Sequence, residues 1–113
     1  VPENFYLLRE ILEEAGAHIL YASDGKTGLS ILKNTEKIDF ILLDIRLPDI
    51  SGYDLARQMR KEKPDVPIIA QTAYGLSGDR EKALAAGCVD YISKPIVADE
   101  LMKVIKRNIT PKQ

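Results

Sequence analysis

The apolar residues of this 113-residue chain change their spacing several times, from the period of a helix to that of a strand and back. A glycine, proline or aspartate stands at nearly every change, as expected of turns and caps. This alternation predicts an α/β fold with a parallel sheet. At this length, an apolar content of 45% is enough to build the core of one domain.

The spacing predicts five helices and four strands, beginning and ending with a helix. Strands are predicted at residues 17–22, 39–43, 66–70 and 89–92. Helices are predicted at residues 2–15, after a cap at Asp24, around Leu55 and Met59, from a cap at Ser77 to Gly87, and after Pro95 as far as Ile109. A parallel sheet with right-handed crossovers normally begins with a strand. We therefore expect a further strand upstream of Val1.

Charge and cysteine content argue against several classes of protein. Sixteen basic and seventeen acidic residues give a formal net charge of −1, which predicts no direct binding to nucleic acid and no attraction to anionic lipid. The longest apolar runs are far shorter than the roughly 20 residues that span a bilayer. Cys88 is the single cysteine, so no internal disulfide forms. These features predict a cytoplasmic protein.

Polar residues follow three of the predicted strands. Asp44 comes directly after the apolar run that ends at Leu43, while Thr72 and Lys94 each lie two residues beyond a strand. The carboxyl ends of parallel strands meet at one edge of a sheet, where ligands bind. A carboxylate, a hydroxyl and an ammonium there could act as nucleophile, hydrogen-bond donor and charge neutraliser of a phosphoryl site. Each residue alone is more often a cap or a solvated loop residue, so the joint placement carries the prediction.

Three segments together carry a family resemblance. They are DFILLDIRLP at residues 39–48 with Gly52 beyond, Thr72-Ala73-Tyr74, and Tyr91-Ile92-Ser93-Lys94-Pro95. In this order they resemble the phosphoacceptor strand, the hydroxyl-bearing strand end and the final strand of response-regulator receiver domains. Residues 78–88 are similar to a helix of receivers in hybrid sensor kinases and single-domain regulators. The resemblance covers essentially the whole chain, residues 1–113.

The resemblance implies a fold and a role. The fold is a doubly wound, flavodoxin-like sheet in the order 2-1-3-4-5, with the absent first strand between residues 17–22 and 39–43. A histidine kinase or histidine phosphotransfer protein would donate a phosphoryl group to Asp44, in a two-component phosphorelay typical of bacteria. The domain would be a signalling switch and not an enzyme, catalysing at most its own phosphorylation and dephosphorylation.

Further roles follow from the resemblance. Lys94 would pair with the added charge, Thr72 would hydrogen-bond a phosphoryl oxygen, and Tyr91 would rotate from exposed to buried. A downstream protein would then bind the surface of the last two helices and the last strand. Arg46 and Tyr74 would flank the water that removes the phosphoryl group, and their bulk predicts slow dephosphorylation. The Lys94-Pro95 peptide bond is commonly cis in this family.

The resemblance also implies a Mg²⁺ site that this sequence fills only in part. Receivers bind the cation with two acidic residues at the end of the first strand, with the acceptor carboxylate and with a backbone carbonyl. Only the carboxylate of Asp44 and the carbonyl of Arg46 correspond here, because Val1 falls just after the acidic pair. We therefore expect weak or absent Mg²⁺ binding by these residues alone.

Three other interpretations stay open from the sequence. A phosphatase of the haloacid-dehalogenase type needs a second aspartate two residues after the nucleophile, where this chain has Arg46. A flavodoxin-like cofactor module needs a phosphate-binding loop rich in serine, threonine and glycine, which is not visible. An interaction domain with the receiver fold but without phosphorylation would be favoured if the acidic pair were lacking upstream.

Overall fold

A computed structural model of the chain describes residues 3–72 and 78–108. Within these residues five helices and three strands follow one another along the chain. They are α1 (Glu3–Glu14), α2 (Gly25–Asn34), β1 (Ile41–Asp44), α3 (Gly52–Glu62), β2 (Ile68–Thr72), α4 (Asp79–Ala85), β3 (Asp90–Ser93) and α5 (Ala98–Asn108). The predicted cap Ser77 and the predicted helix position Ile109 lie outside the described residues.

The prediction of a strand at residues 17–22 is wrong. This segment leads from α1 to α2 without pairing to any strand. Ala17 and Ile19 pack partly against the core, while Leu20 is 53% exposed and Tyr21 is 37% exposed. The segment has a strand-like apolar pattern, but a strand also needs a backbone partner for its N–H and C=O groups. The described residues contain no such partner beside it.

The three strands form one parallel sheet in the order β1-β2-β3. Each strand begins one or two residues later than predicted. At β2 the cause is Pro67, which has no N–H to donate, although its carbonyl oxygen accepts a 2.9 Å hydrogen bond from the N–H of Ile41. The ladder at that strand therefore starts at Ile68 and continues through Thr72.

Helices cover both faces of the sheet. On one face, α2, α3 and α4 pack over Leu43, Ile68 and Ala70; this core also holds Leu32, Leu55, Ala56, Met59, Ala83, Ala86 and Cys88. On the other face, α1 and α5 pack over Ile69 and Ile92; this core also holds Leu8, Leu12, Ile96, Leu101 and Val104. A parallel sheet between two helical layers is the doubly wound α/β fold, so the predicted fold class is confirmed.

Two carboxylates hold the start of α2. Oδ1 of Asp24 accepts a 2.7 Å hydrogen bond from the N–H of Thr27, as expected of the predicted cap. Asp49, in the loop after β1, accepts bonds of 2.9 and 3.1 Å from the N–H groups of Gly25 and Lys26. A Cβ atom at Gly25 would collide with Ile50 of the same loop. This close approach ties the loop that follows β1 to the neighbouring helix.

Candidate functional site

Asp44 and Lys94 form an ion pair at the carboxyl edge of the sheet. Nζ of Lys94 donates a 2.6 Å hydrogen bond to Oδ2 of Asp44, and the N–H of Arg46 donates a 2.9 Å bond to Oδ1. Each side chain of the pair is 31% exposed. The carboxylate is therefore held in a defined orientation beside a cation, while a reactant can still reach it from solvent.

Lys94 reaches Asp44 from the far side of β2. The N–H of Lys94, one residue after β3, donates a 2.8 Å bond to the carbonyl oxygen of Thr72 at the end of β2. Because β2 lies between β1 and β3, the lysine side chain must cross this central strand to contact Asp44. The Lys94-Pro95 peptide bond is cis, as in the family that the sequence resembles.

The hydroxyl of Thr72 belongs to a different pair of residues. Thr72 is 3% exposed, and its Oγ1 lies 3.4 Å from Oγ of Ser93, a distance at which either atom can donate. Strand alternation places both hydroxyls on the face covered by α2, α3 and α4, since Ala70 and Tyr91 pack there. Sequence reasoning missed Ser93, which could have been noticed as a small polar residue beside the predicted Lys94.

Tyr91 is half-buried and lies near a shallow depression between α4 and α5. Cζ of Arg80 lies 5.8 Å from the centroid of the Tyr91 ring, close enough for a cation–π contact. The depression has a volume of about 410 Å³. It is lined by Arg80, Leu84, Val89, Asp90, Tyr91 and Arg107. This is the surface that the sequence predicts to bind a downstream protein.

Asp90 fixes α5 against β3 at the floor of this depression. Arg107 donates to its carboxylate at 2.6 and 3.1 Å, and Asn108 donates at 2.7 Å. Burial acts to raise the pKa of Asp90, but these hydrogen bonds and that of the Tyr91 N–H outweigh it and lower the pKa below its usual value. No local sequence pattern predicts this cluster, because its members come from two separate elements.

The loop after Asp44 is tightly folded. Arg46 is exposed and forms an isolated bridge with Ser51, whose Oγ accepts from the N–H of Tyr53 to cap α3. A Cβ atom at Gly52 would collide with the backbone of Ile45, so the close return of the chain requires glycine. Tyr74, predicted to act with Arg46, lies outside the described residues.

The described residues by themselves do not make a magnesium cage. Residues 3–72 and 78–108 contain no group of three or more histidine, cysteine, aspartate or glutamate side chains placed to hold a metal ion. Asp44 offers one carboxylate, and both of its oxygens already accept hydrogen bonds. Mg²⁺ prefers near-octahedral oxygen coordination. Weak Mg²⁺ binding by these residues alone stays a prediction.

The chain belongs to the family of response regulator receiver domains, whose model matches residues 2–106. It is 38% identical over 106 residues to the sensor histidine kinase CheAY of Helicobacter pylori, covering 91% of this chain and 13% of that protein. It is 33% identical over 105 residues to the polar-differentiation response regulator DivK of Brucella anthropi, covering 91% of this chain and 85% of that protein. The chain spans 45% of a probable transcriptional regulatory protein of Picosynechococcus, so two of these three relatives are much longer.

Solved structures share the fold. The receiver domain of a sensor histidine kinase from Pseudomonas aeruginosa PAO1 superposes with a TM-score of 0.84 at 36% identity, covering 95% of this chain and 88% of that one. That structure holds a magnesium ion in its active-site cleft. A CheY-like receiver domain protein from Methanospirillum hungatei gives a TM-score of 0.83 at 31% identity, with 92% and 82% covered. In the part of our chain that the structure describes, no helix has the length and apolar character to cross a membrane.

Proposed function

We propose that Asp44 accepts a phosphoryl group from a phosphohistidine and that this chain works as a switch in a two-component phosphorelay. The observation that carries the proposal is the half-exposed Asp44–Lys94 ion pair at the carboxyl edge of the sheet. In the transfer, a carboxylate oxygen attacks phosphorus while the phosphorus–nitrogen bond breaks. The imidazole nitrogen leaves with the bonding electrons and takes up a proton.

The neighbours of Asp44 suit this reaction. The ammonium of Lys94 is positioned to offset charge on the phosphoryl oxygens, and the N–H of Arg46 restrains the carboxylate. The hydroxyl of Thr72 would leave Ser93 and donate to a phosphoryl oxygen. A movement of Thr72 would change the packing around Tyr91, because the two side chains lie on the same face of adjacent strands.

The output surface in this proposal is the depression between α4, β3 and α5. Rotation of Tyr91 would change its contact with Arg80 and so alter the lining that a downstream protein meets. The donor would be a histidine kinase or a histidine phosphotransfer protein. We place the switch in the cytoplasm, with no enzymatic activity beyond its own phosphorylation and dephosphorylation.

The magnesium ion forms a separate part of the proposal. The carboxylate of Asp44 and the backbone carbonyl of Arg46 would supply two ligands. An acidic pair on a further strand at the open edge of β1 would supply further oxygen ligands, and water would fill the remaining positions. The bound cation would offset negative charge during phosphoryl transfer.

Phosphoryl transfer to matched variants tests the acceptor assignment. Wild type, Asp44→Asn and Asp49→Asn, each preceded by an apolar strand that ends in two aspartates, are incubated, in buffer with Mg²⁺, with a radiolabelled histidine kinase or with acetyl phosphate. Asp49 is a suitable control because it lies in the same loop and, as asparagine, keeps an oxygen that can cap α2. We expect normal labelling of Asp49→Asn and none of Asp44→Asn. Labelling of Asp44→Asn to the same extent as Asp49→Asn would refute the assignment. An unlabelled wild type would favour an interaction domain that is not phosphorylated.

A further inference from the structure

Gln71 in β2 contains a buried polar atom that the proposed reaction does not yet use. The residue is 6% exposed, and within residues 3–72 and 78–108 its Oε1 is the one buried side-chain oxygen or nitrogen that lacks a hydrogen-bond partner. An amide oxygen removed from water without a donor is costly. A buried acceptor of this kind in a folded domain calls for an explanation.

The position of Gln71 relates it to the ion pair. In the sheet register, Gln71 stands directly opposite Asp44 on one side and opposite Ile92 on the other. Leu42 and Ile69 pack toward α1 and α5, so strand alternation places Asp44 and Gln71 on that same face. Gln71 therefore lies on the central strand at the level of Asp44, and on the same face of the sheet as the carboxylate that Lys94 contacts.

The chemistry of the two side chains is complementary. An ammonium carries three N–H donors, and in the described part of the chain Lys94 uses one of them, toward Asp44. When Asp44 becomes an acyl phosphate, the negative charge moves outward onto the phosphoryl oxygens and the ammonium must reorient. A second donor can then turn toward Gln71, the residue of the central strand that stands opposite Asp44.

We propose that Gln71 is a positioning residue for Lys94, whose ammonium donates to Oε1 of Gln71 once Asp44 carries a phosphoryl group. This inference rests on the proposed acceptor role of Asp44. The new hydrogen bond would hold the ammonium against the phosphoryl group. Because the acceptor is unpaired before phosphorylation and paired afterwards, the bond stabilises the phosphorylated form selectively.

A double-mutant cycle with beryllofluoride, an analogue of the phosphoryl group, tests the proposal. Half-saturating concentrations are measured by NMR, in excess Mg²⁺, for wild type, Gln71→Met, Lys94→Ala and the double variant, each preceded by an apolar strand that ends in two aspartates. Methionine keeps the length of glutamine without its acceptor. We expect Gln71→Met to weaken binding by about tenfold, as for loss of one charge-assisted hydrogen bond, and to have no further effect when Lys94 is alanine. Ile69→Val, on the same face of the same strand, should bind like wild type.

Two further measurements distinguish a role of Gln71 in positioning Lys94 from a role in packing the core. Without the analogue, Gln71→Met and Gln71→Leu should melt at or above the wild-type temperature, because each removes a buried unpaired oxygen. The side-chain carbonyl carbon of Gln71 should change its chemical shift when beryllofluoride binds to wild type. Unchanged affinity of both Gln71 variants, or an equal loss with and without Lys94, would overturn the role of Gln71 alone. A wild type that does not bind the analogue, or Asp44→Asn that binds it equally well, would overturn the proposed function as well.

Discussion

The hydroxyl of Tyr53 in α3 donates a 2.8 Å hydrogen bond to Oδ1 of Asp79, the first residue of α4. The bond joins residues 26 positions apart and fixes the start of α4 against α3. Burial raises the pKa of Tyr53 to about 12, and the hydrogen bond and negative charge of Asp79 act in the same direction.

This raised pKa predicts a loss of stability in strong alkali. A tyrosine of ordinary pKa, about 10 in the unfolded chain, releases its proton before the folded Tyr53 does. The stabilising contribution is therefore complete below about pH 10 and is lost as the pH rises toward 12. Thermal unfolding of wild type and Tyr53→Phe, both preceded by an apolar strand that ends in two aspartates, measures this loss from pH 9 to 12. The melting temperature of wild type should fall relative to that of the variant in this window, and parallel curves would contradict the assignment.

Replacement of Lys94 by alanine should separate phosphorylation from the structural response. Some labelling of Asp44 should remain, while amide shifts in β3 and α5 on labelling should be much smaller than in wild type. Because each member of the ion pair is 31% exposed, the free energy of unfolding should change by no more than about 1 kcal/mol. Lys103→Ala, an exposed position on α5, is the control. A full set of shifts in labelled Lys94→Ala would show that the charge does not couple the phosphoryl group to the fold.

Substitutions of Arg46 and Tyr74 should alter the lifetime of the acyl phosphate. Arg46 is exposed and lies in the loop that follows Asp44. Neither Arg46 nor Tyr74 has a carboxylate or amide suited to orienting water. Replacing Arg46 by asparagine and Tyr74 by glutamate should therefore speed phosphate loss several-fold. The decay of labelled protein after removal of the donor measures this rate. Identical decay of variant and wild type would assign both positions to the surface only.

The open edge of β1 should accept a further strand. Among the described residues β1 pairs on one side only, with β2. Each buried unpaired backbone group costs about 1–3 kcal/mol, against a total domain stability of about 5–15 kcal/mol. Residues 1–113 alone should therefore show no cooperative, monomeric melting transition. Preceded by an apolar strand that ends in two aspartates, they should melt cooperatively.

Mg²⁺ distinguishes the two functions of such a strand. With two aspartates at its end, Mg²⁺ should raise the melting temperature, because the added carboxylates complete a set of oxygen ligands beside Asp44. With two asparagines in their place, the domain should fold but respond weakly to Mg²⁺. A cooperative transition of residues 1–113 alone would refute the need for the strand. Equal Mg²⁺ responses would refute the role of the acidic pair.

Features set by local sequence could be predicted well. The five helices, the strand that leads to Asp44 and the cap at Asp24 follow from apolar period and turn chemistry, and the structure contains all of them. The strand predicted at residues 17–22 shows the limit of that approach. Its residues are mostly apolar, as in a strand, but pairing depends on a neighbouring strand, and the described residues contain none beside it.

Contacts within the candidate site could be predicted only in part. The positions of Asp44, Thr72 and Lys94 near predicted strand ends predicted a shared site, because parallel strands have their carboxyl ends at one edge of the sheet. The partner of Thr72 and the unpaired oxygen of Gln71 depend on strand register, which apolar spacing does not define. The hydrogen bond between Tyr53 and Asp79 depends on how two helices pack, and no local sequence pattern predicts it.

Chemical mapping of the phosphoryl group can identify the acceptor residue without any substitution. Sodium borohydride reduces an aspartyl phosphate to homoserine, so the modified residue can be located by peptide mass spectrometry after phosphorylation by a histidine kinase. If Asp44 is the acceptor, homoserine will appear at position 44 and at no other aspartate, with none in protein that was not phosphorylated. Homoserine at another position, or a phosphate that withstands borohydride on a serine or threonine, would contradict the claim that Asp44 is the acceptor.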